Sequence, residues 1–487
     1  MLILFDKAPI RHAMRWTVLL IALGTTSAAN ASKQNLPSFG DAVSGVVSLP
    51  QEREIGQDFL RSLRGQAPTI DDPILQDYVE HLTYKLAANS ELVDRRLDLV
   101  IVDSPILNAF AVPGGIIGIH HGLFRYAETE QEIAAILAHE IAHLSQRHFA
   151  RGVEAQQKSA VFNMAGLLAS VVLMTTVGGE AGMAALNTVQ GVSQASQLRH
   201  SRGREAEADR VGIDTLVSAK MDPRAMAHMF ERLERSTRYS ADEMPEFLRT
   251  HPVTKSRIAD AYNQTASYPK KAYPLNLDFH LMKARVKAIT AKSPGDVIPA
   301  FLAGMDHEDR VIRHANTYGL VLAMAVNSQF DEASRHLIPL LDAYPDKIAI
   351  QIAEANIHLK AERYDQAQGI LESAMELNPK NYPLTMALAD VLINTKPKRA
   401  QNILTSLSTN RKNDAYLWYH LAEAAGLADD IPEVHWSRAE YFVLTGNLDQ
   451  ALKQLDYTLP LIKRNFQQEA KVRSRKREIQ ELKDKRS

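Results

Sequence analysis

The tetrapeptides FDEA and YDQA, ending at Ala333 and Ala367, lie 34 residues apart, and so do Pro345 and Pro379, each closing its unit. A fixed period of this length constrains the chain more than any single motif does. A unit of helix, turn and helix cannot bury its apolar side alone, so successive units must stack and share one continuous core. Ala333 and Ala367 fit that requirement, because a small side chain at the same place on successive helices lets paired helices approach closely. PKRA ends at Ala400, one residue short of the period, and LDQA ends at Ala451, so the later units read as degenerate.

A 34-residue helical period with small residues at one position and proline at the close is the tetratricopeptide (TPR) signature. It predicts an all-α TPR array over residues 311–460, then a basic helical tail over 461–487. The tail's run KVRSRKREIQELKDKRS reads as a solvated helix rather than a nucleic-acid patch. Upstream, NQTASYPKKAYPLNLD replaces helical periodicity with Pro, Tyr and Lys. That shift sets a domain boundary near residue 270, with a helical connector over 271–310.

The N-terminus reads as an address. RHAMR is basic, WTVLLIALG is apolar, and Ala29-Asn30-Ala31 offers a small-residue cleavage site. The order predicts a secretory signal peptide over 1–31, cut after Ala31, and hence a periplasmic protein. Met14 as the start would leave a signal of ordinary length. An uncleaved anchor is the alternative, although the apolar core is well short of the ~20 residues that span a bilayer. The uncharged run at 161–177 fits a buried helix or a membrane-facing one, and the second reading keeps peripheral membrane association open.

Between the signal and residue 270 the pattern is α+β, mostly helical with a small sheet. RLDLVIVDS is strand-like, LNAFAVPGGIIGIHHGLF is a strand pair broken at Pro113-Gly114-Gly115, and residues 128–157 read as one long helix. Thr129 and Glu132 form a capping-box pattern at its start. Net charge is −1, which gives no global field to recommend nucleic acid as a partner. The chain has no cysteine, so thiol catalysis, disulfides and thiolate metal sites are excluded. His, Asp and Glu remain as ligands.

On the expected long helix, His139 and His143 lie about 40° apart and present two imidazoles to one point, with Glu140 one position round. This HExxH arrangement is that of zinc proteases. His148 sits about 180° from His139 and cannot join the same metal while the helix continues. A third ligand is needed, and the spacing for a third histidine is absent, since Gln146 and Phe149 stand where Gly and His would be required. REAEADRVGI offers carboxylates instead. Glu205 and Asp209 share a face and Glu207 lies opposite. Ligation by Glu205, with Asp209 orienting a ligand histidine from behind, would give those buried charges partners.

HExxH followed about sixty residues later by ExxAD resembles the gluzincin family of the CaaX prenyl endopeptidases and the heat-shock protease HtpX. The signal peptide, NAFAVPGG, HEIAHLSQRH, EAEADRVGI, RTHP and the TPR array together resemble the periplasmic β-barrel assembly-enhancing proteases. That resemblance implies a zinc endopeptidase with one Zn²⁺ per chain, held by His139, His143 and Glu205, with Glu140 as general base and acid. It further implies that His251 of the THP stretch serves as a regulatory fourth zinc ligand, where its own surroundings in sequence suggest only a surface histidine. Asn108, Ala109 and Phe110 would belong to an edge strand that receives substrate. Outer-membrane β-barrel proteins and their assembly machinery are the implied partners, through the TPR array. The rival reading is a TPR scaffold or chaperone with a latent or self-masked metal site.

Overall fold

The computed structural model describes residues 47–155, 194–239, 246–463 and 465–485, so the expected signal peptide and the uncharged run at 161–177 lie outside it. Helix α1 (Leu49–Gln66) opens the described chain with a complete capping box between Ser48 and Gln51. Helix α2 (Pro73–Ala88) follows, capped by Asp72. Strands β1 (Asp98–Val102), β2 (Ala109–Val112) and β3 (Ile116–His120) form one sheet in the order β1-β3-β2. β1 runs parallel to β3 and β2 antiparallel to it, so β2 is an edge. The expected strand pair and its break are both present. Gly114 and Gly115 turn the chain with φ of 79° and 82°, in the left-handed region that glycine enters without strain. Gly118 makes room for packing, since a Cβ there would lie 2.1 Å from the ring of Phe110, whose side chain covers it.

After a short helix α3 (Gly122–Tyr126), helix α4 (Glu130–Ser145) carries HExxH through the centre of the domain. Ile133 to Ala138 and Ile141 are all at most 1% exposed, so α4 is enclosed on every side. Thr129 accepts from the Glu132 amide at its start, and the Glu132 carboxylate reaches back to the amide of Glu128 at 2.7 Å. The helix does not continue to residue 157 as the sequence suggests. It stops at Ser145, Arg147 takes φ of +49°, and a separate helix α5 (His148–Ala155) begins. Helix α6 (Gln194–Ser218) brings ExxAD across α4, and α7 (Ala225–Tyr239), α8 (Glu246–Thr250) and α9 (Lys255–Thr265) close the domain around them. Gly212 permits the crossing, since a Cβ there would lie 3.2 Å from the His139 backbone nitrogen.

Beyond it, α10 (Leu277–Ile289) and α11 (Pro294–Gly304) lead into an array of antiparallel helices. These are α12 (Arg310–Val326), α13 (Phe330–Ala343), α14 (Ile348–Lys360), α15 (Tyr364–Leu377), α16 (Tyr382–Thr395), α17 (Pro397–Ser408), α18 (Ala415–Leu427), α19 (Ile431–Leu444), α20 (Leu448–Leu461) and α21 (Phe466–Asp484). Ala333, Ala367, Ala400 and Ala451 are all fully buried, as close helix pairing requires. The fourth marker needs correcting, however. One period after Ala400 is Val434, on α19, whereas Ala451 lies on the next helix, half a period out of step.

The array folds back on the first domain. Buried Arg285 of α10 donates to both carboxylate oxygens of Asp72, the cap of α2, and to the Tyr318 hydroxyl of α12. Arg411 donates to Glu80 of α2. At the far end several of the tail's cations pair with residues outside it, among them Arg475 with Glu440, Lys476 with Asp456 and Lys485 with Glu54 of α1. Among the described residues no helix is long and apolar enough to cross a membrane.

Candidate metal centre

One turn of α4 separates His139 from His143, and their Nε2 atoms point at each other 3.0 Å apart. Glu205, delivered by α6, places Oε2 3.4 Å from His139 Nε2 and Oε1 3.5 Å from His143 Nε2. His251 follows α8, and its Nδ1 lies 3.4 Å from His139 Nε2 and 3.0 Å from Glu205 Oε2. Donor atoms of these four residues all fall within 4.8 Å of one another. Ligands at about 2.1 Å around a tetrahedral zinc stand roughly 3.4 Å apart, close to the 3.0 to 3.5 Å of every pair here except His143 with His251. Sequence reasoning brought His139, His143 and Glu205 to one point; the backbone of a separate loop brings His251 there too. That loop is tied down, with the His251 amide donating to Phe247 O at 2.7 Å and the Phe247 amide donating to Leu107 O beside β2.

Asp209 lies behind His139, its Oδ1 3.0 Å from Nδ1. Arg257 of α9, unnoticed in the sequence, donates twice to Asp209 at 2.7 Å, sits 3.2 Å from Glu205 and donates to Pro252 O at 2.9 Å. No periodicity singles out Arg257; only the packing of α9 on α6 puts it there. His148 and Glu207 also enter the site from outside the expected set. The break after Ser145 turns His148 back, and its Nδ1 stands 2.9 Å from His143 Nδ1, on the side away from the other donors. The geometry of an unbroken helix, on which His148 was set aside, therefore does not hold past Ser145, and it missed His148 as a neighbour of His143.

Glu140 is 1% exposed; among the described residues its Oε1 has no hydrogen-bond partner, and His251 Nε2 lies 3.6 Å from it. Burial raises its pKa, offset in part by the nearby His251 and His139 rings and the Ala111 amide. It faces a cavity of about 280 Å³ lined by Asn108, Phe110, Ala111, His143 and His251 among others. Asn108 precedes β2, is 3% exposed, and leaves Oδ1 without a partner. The His120 amide donates to Asn108 O, so by antiparallel alternation the residues bonded to β3 are 108, 110 and 112. The N–H and C=O groups of Ala109 and Ala111 consequently point away from β3, along the open edge of the sheet. Phe110 turns its ring onto Gly118 and Phe59 instead.

Burial would push Glu205 up, but the facing His251 and His139 rings hold it far below the usual carboxylate range. Burial likewise opposes charge on His139, yet its contacts with Asp209 and Glu205 outweigh that and raise it to about 9. His143 moves the other way, pushed well below the ordinary histidine value by burial and by the charge on His139.

Comparison with known proteins agrees with this geometry. Residues 73–265 match the model of peptidase family M48 and residues 358–424 match a tetratricopeptide repeat. The chain is 32% identical over 473 residues to the beta-barrel assembly-enhancing protease of Escherichia coli K12, covering 96% of each chain. The chain belongs to peptidase family M48. The Yersinia pestis protein of the same description is 31% identical over 92% of each chain. The mitochondrial metalloendopeptidase OMA1 of Arabidopsis thaliana is 27% identical over 242 residues, about half of this chain. The protein is thus a zinc metalloprotease with a TPR region.

The residues present fit the ion. The donor set is nitrogen and carboxylate oxygen converging within 4.8 Å, and Glu140 keeps a buried oxygen without a hydrogen bond beside it, 3.6 Å from His251 Nε2. Without the metal, His139 carries a proton at neutral pH that zinc has to displace. Zinc affinity is therefore expected to rise about tenfold per pH unit from 7 to 9, measured by competition with a chelator of known pH dependence. An affinity flat above pH 6.5 would show His139 at its ordinary pKa.

Proposed function

We propose that this M48 protease acts in the periplasm as an endopeptidase on outer-membrane β-barrel proteins. His139, His143 and Glu205 are its zinc ligands, His251 is a regulatory fourth ligand, and the TPR array holds clients or assembly partners. The observation that carries the reading is the buried carboxylate of Glu140, whose Oε1 accepts no hydrogen bond among the described residues and faces His251 Nε2 at 3.6 Å, between the convergent donors and the edge of β2. The name and full-length coverage of the Escherichia coli relative support the client class, and the basic-apolar-small order of residues 11–31 supports export. The division of the chain near residue 270 is part of the same proposal.

A bound zinc ion supplies the Lewis acidity that polarises a carbonyl and brings the pKa of water toward neutrality. The chain's own residues do the rest. An extended peptide pairs with the outward N–H and C=O of Ala109 and the C=O of Ala111 as an added strand, which lays its scissile carbonyl beside Glu140, the acceptor of the Ala111 amide. Asn108 offers its unpartnered amide oxygen to a substrate N–H. Glu140 takes a proton from the attacking water as the C–O bond forms. It then gives that proton to the departing amine nitrogen as the C–N bond breaks. Asp209, clamped by Arg257, keeps the His139 ring turned the right way.

His251 occupies a donor position that a working protease would leave to water, which also keeps in play a scaffold or chaperone with a self-masked site. Digestion of casein and of an unassembled β-barrel protein by wild type and His251→Ala tests both points. If about nine-tenths of the resting protein is masked, the variant cuts both substrates about tenfold faster. Equal rates toward both would remove the mask. A wild type that digests casein and spares the unassembled barrel would remove the client assignment.

A further inference from the structure

His143 offers Nε2 to the metal centre, and a neutral imidazole has only one N–H, so its proton sits on Nδ1 and needs an acceptor. His148 Nδ1 stands 2.9 Å away and accepts it. That fixes the tautomer of His148, whose proton lies on Nε2 and is donated to Glu207 Oε2 at 3.1 Å. Arg151 donates to the same oxygen at 2.9 Å. His148 is 5% exposed, so water does not substitute for these bonds at little cost.

The backbone is bent to make this contact. Five residues along an unbroken helix would carry His148 about 140° away from His143. Arg147 adopts φ of +49° instead, which is uncommon for a residue with a side chain. Its guanidinium is held by Val47 O at 2.7 Å and by buried Glu52 at 3.2 Å. The two helical histidines then have matching supports. His139 leans on Asp209, which Arg257 clamps. Glu205 meets His143 only at Nε2; at Nδ1 no carboxylate of the described residues is in contact, because Glu207 lies on the opposite side of α6 from Glu205, and His148 spans that gap.

We propose that His148, oriented by Glu207 and Arg151, is a positioning residue for His143 that sets the tautomer and the zinc affinity of the site. This rests on the reading of His143 as a zinc ligand. The test is the zinc dissociation constant of the full chain, by chelator competition, together with the thermal midpoint of the zinc-free form and the visible bands of the cobalt(II) form. His148→Phe keeps the ring and loses both nitrogens. It is expected to weaken zinc about 10- to 100-fold and shift the cobalt bands, with the zinc-free form lowered in midpoint but still folded at the temperature of the measurement. His148→Gln can accept from His143 and donate to Glu207, and should restore affinity to within about threefold. Glu207→Ala, at a partly exposed position, should weaken zinc several-fold if His148→Phe does not fold. Wild-type affinity in His148→Phe, or in Glu207→Ala, overturns the proposal, as does Gln no better than Phe. His143→Phe separates the two failures: if it binds zinc as wild type does, the ligand reading itself is wrong.

Discussion

Glu140→Gln is expected to lower kcat/KM toward an unfolded substrate by about 10²- to 10⁴-fold, the range that proton transfer by a positioned carboxylate supplies. Zinc content should stay at one per chain, because the donor cluster does not include Glu140. The exchange is nearly isosteric, which matters at a position 1% exposed. The amide fills the same space beside Ala111 and lacks only the ability to take a proton. Zinc analysis and substrate digestion on the same preparation check both halves. Full activity in a zinc-replete variant would mean that another group moves the proton. The variant also separates the two readings of the whole protein: rescue of barrel assembly by a zinc-replete, cleavage-dead chain would favour the scaffold or chaperone role.

Glu205→Gln should do the reverse and remove the metal. The amide has the shape of the carboxylate without its charge, and zinc prefers the anion. The loss in affinity should exceed the about 10- to 100-fold that a supporting neighbour commands. Zinc at about 1,000 times its dissociation constant stabilises a fold by about 4 kcal/mol, so the readout is the zinc-induced rise in thermal midpoint. Wild type should show that rise and Glu205→Gln should lose most of it. Arg257 and Asp209 remain paired in the variant, which keeps the zinc-free protein folded for the comparison. An undiminished zinc shift would take Glu205 out of the ligand set.

The motifs were legible because their geometry is local. His139, Glu140 and His143 are placed relative to one another by the pitch of a single helix, and so are Glu205 and Asp209. The TPR array was legible for a similar reason, since each unit repeats the same local packing problem with an alanine at its closest contact. Even there the period misled at Ala451: the tetrapeptide matches, but the helix that carries it is the wrong member of the pair. The reading of residues 128–157 as one helix failed at Gln146 and Arg147. Both are ordinary helix formers, and the break is held by partners far away in sequence, Val47 and Glu52 for Arg147 and Glu91 for Gln146.

By itself, then, the sequence determined the helical period of the array, the HExxH face, the pairing of Glu205 with Asp209, and the exclusion of every thiol-based chemistry. His251 was expected at the metal centre from the resemblance carried by RTHP; only the tertiary structure decided which arginine clamps Asp209 and how His148 comes to support His143. The physical reason is the reach of the interactions. Helix pitch and repeat period act over a few residues and are written in spacing. Arg257 and His148 are instead placed by contacts between segments 48 and 59 residues apart, which no local pattern records.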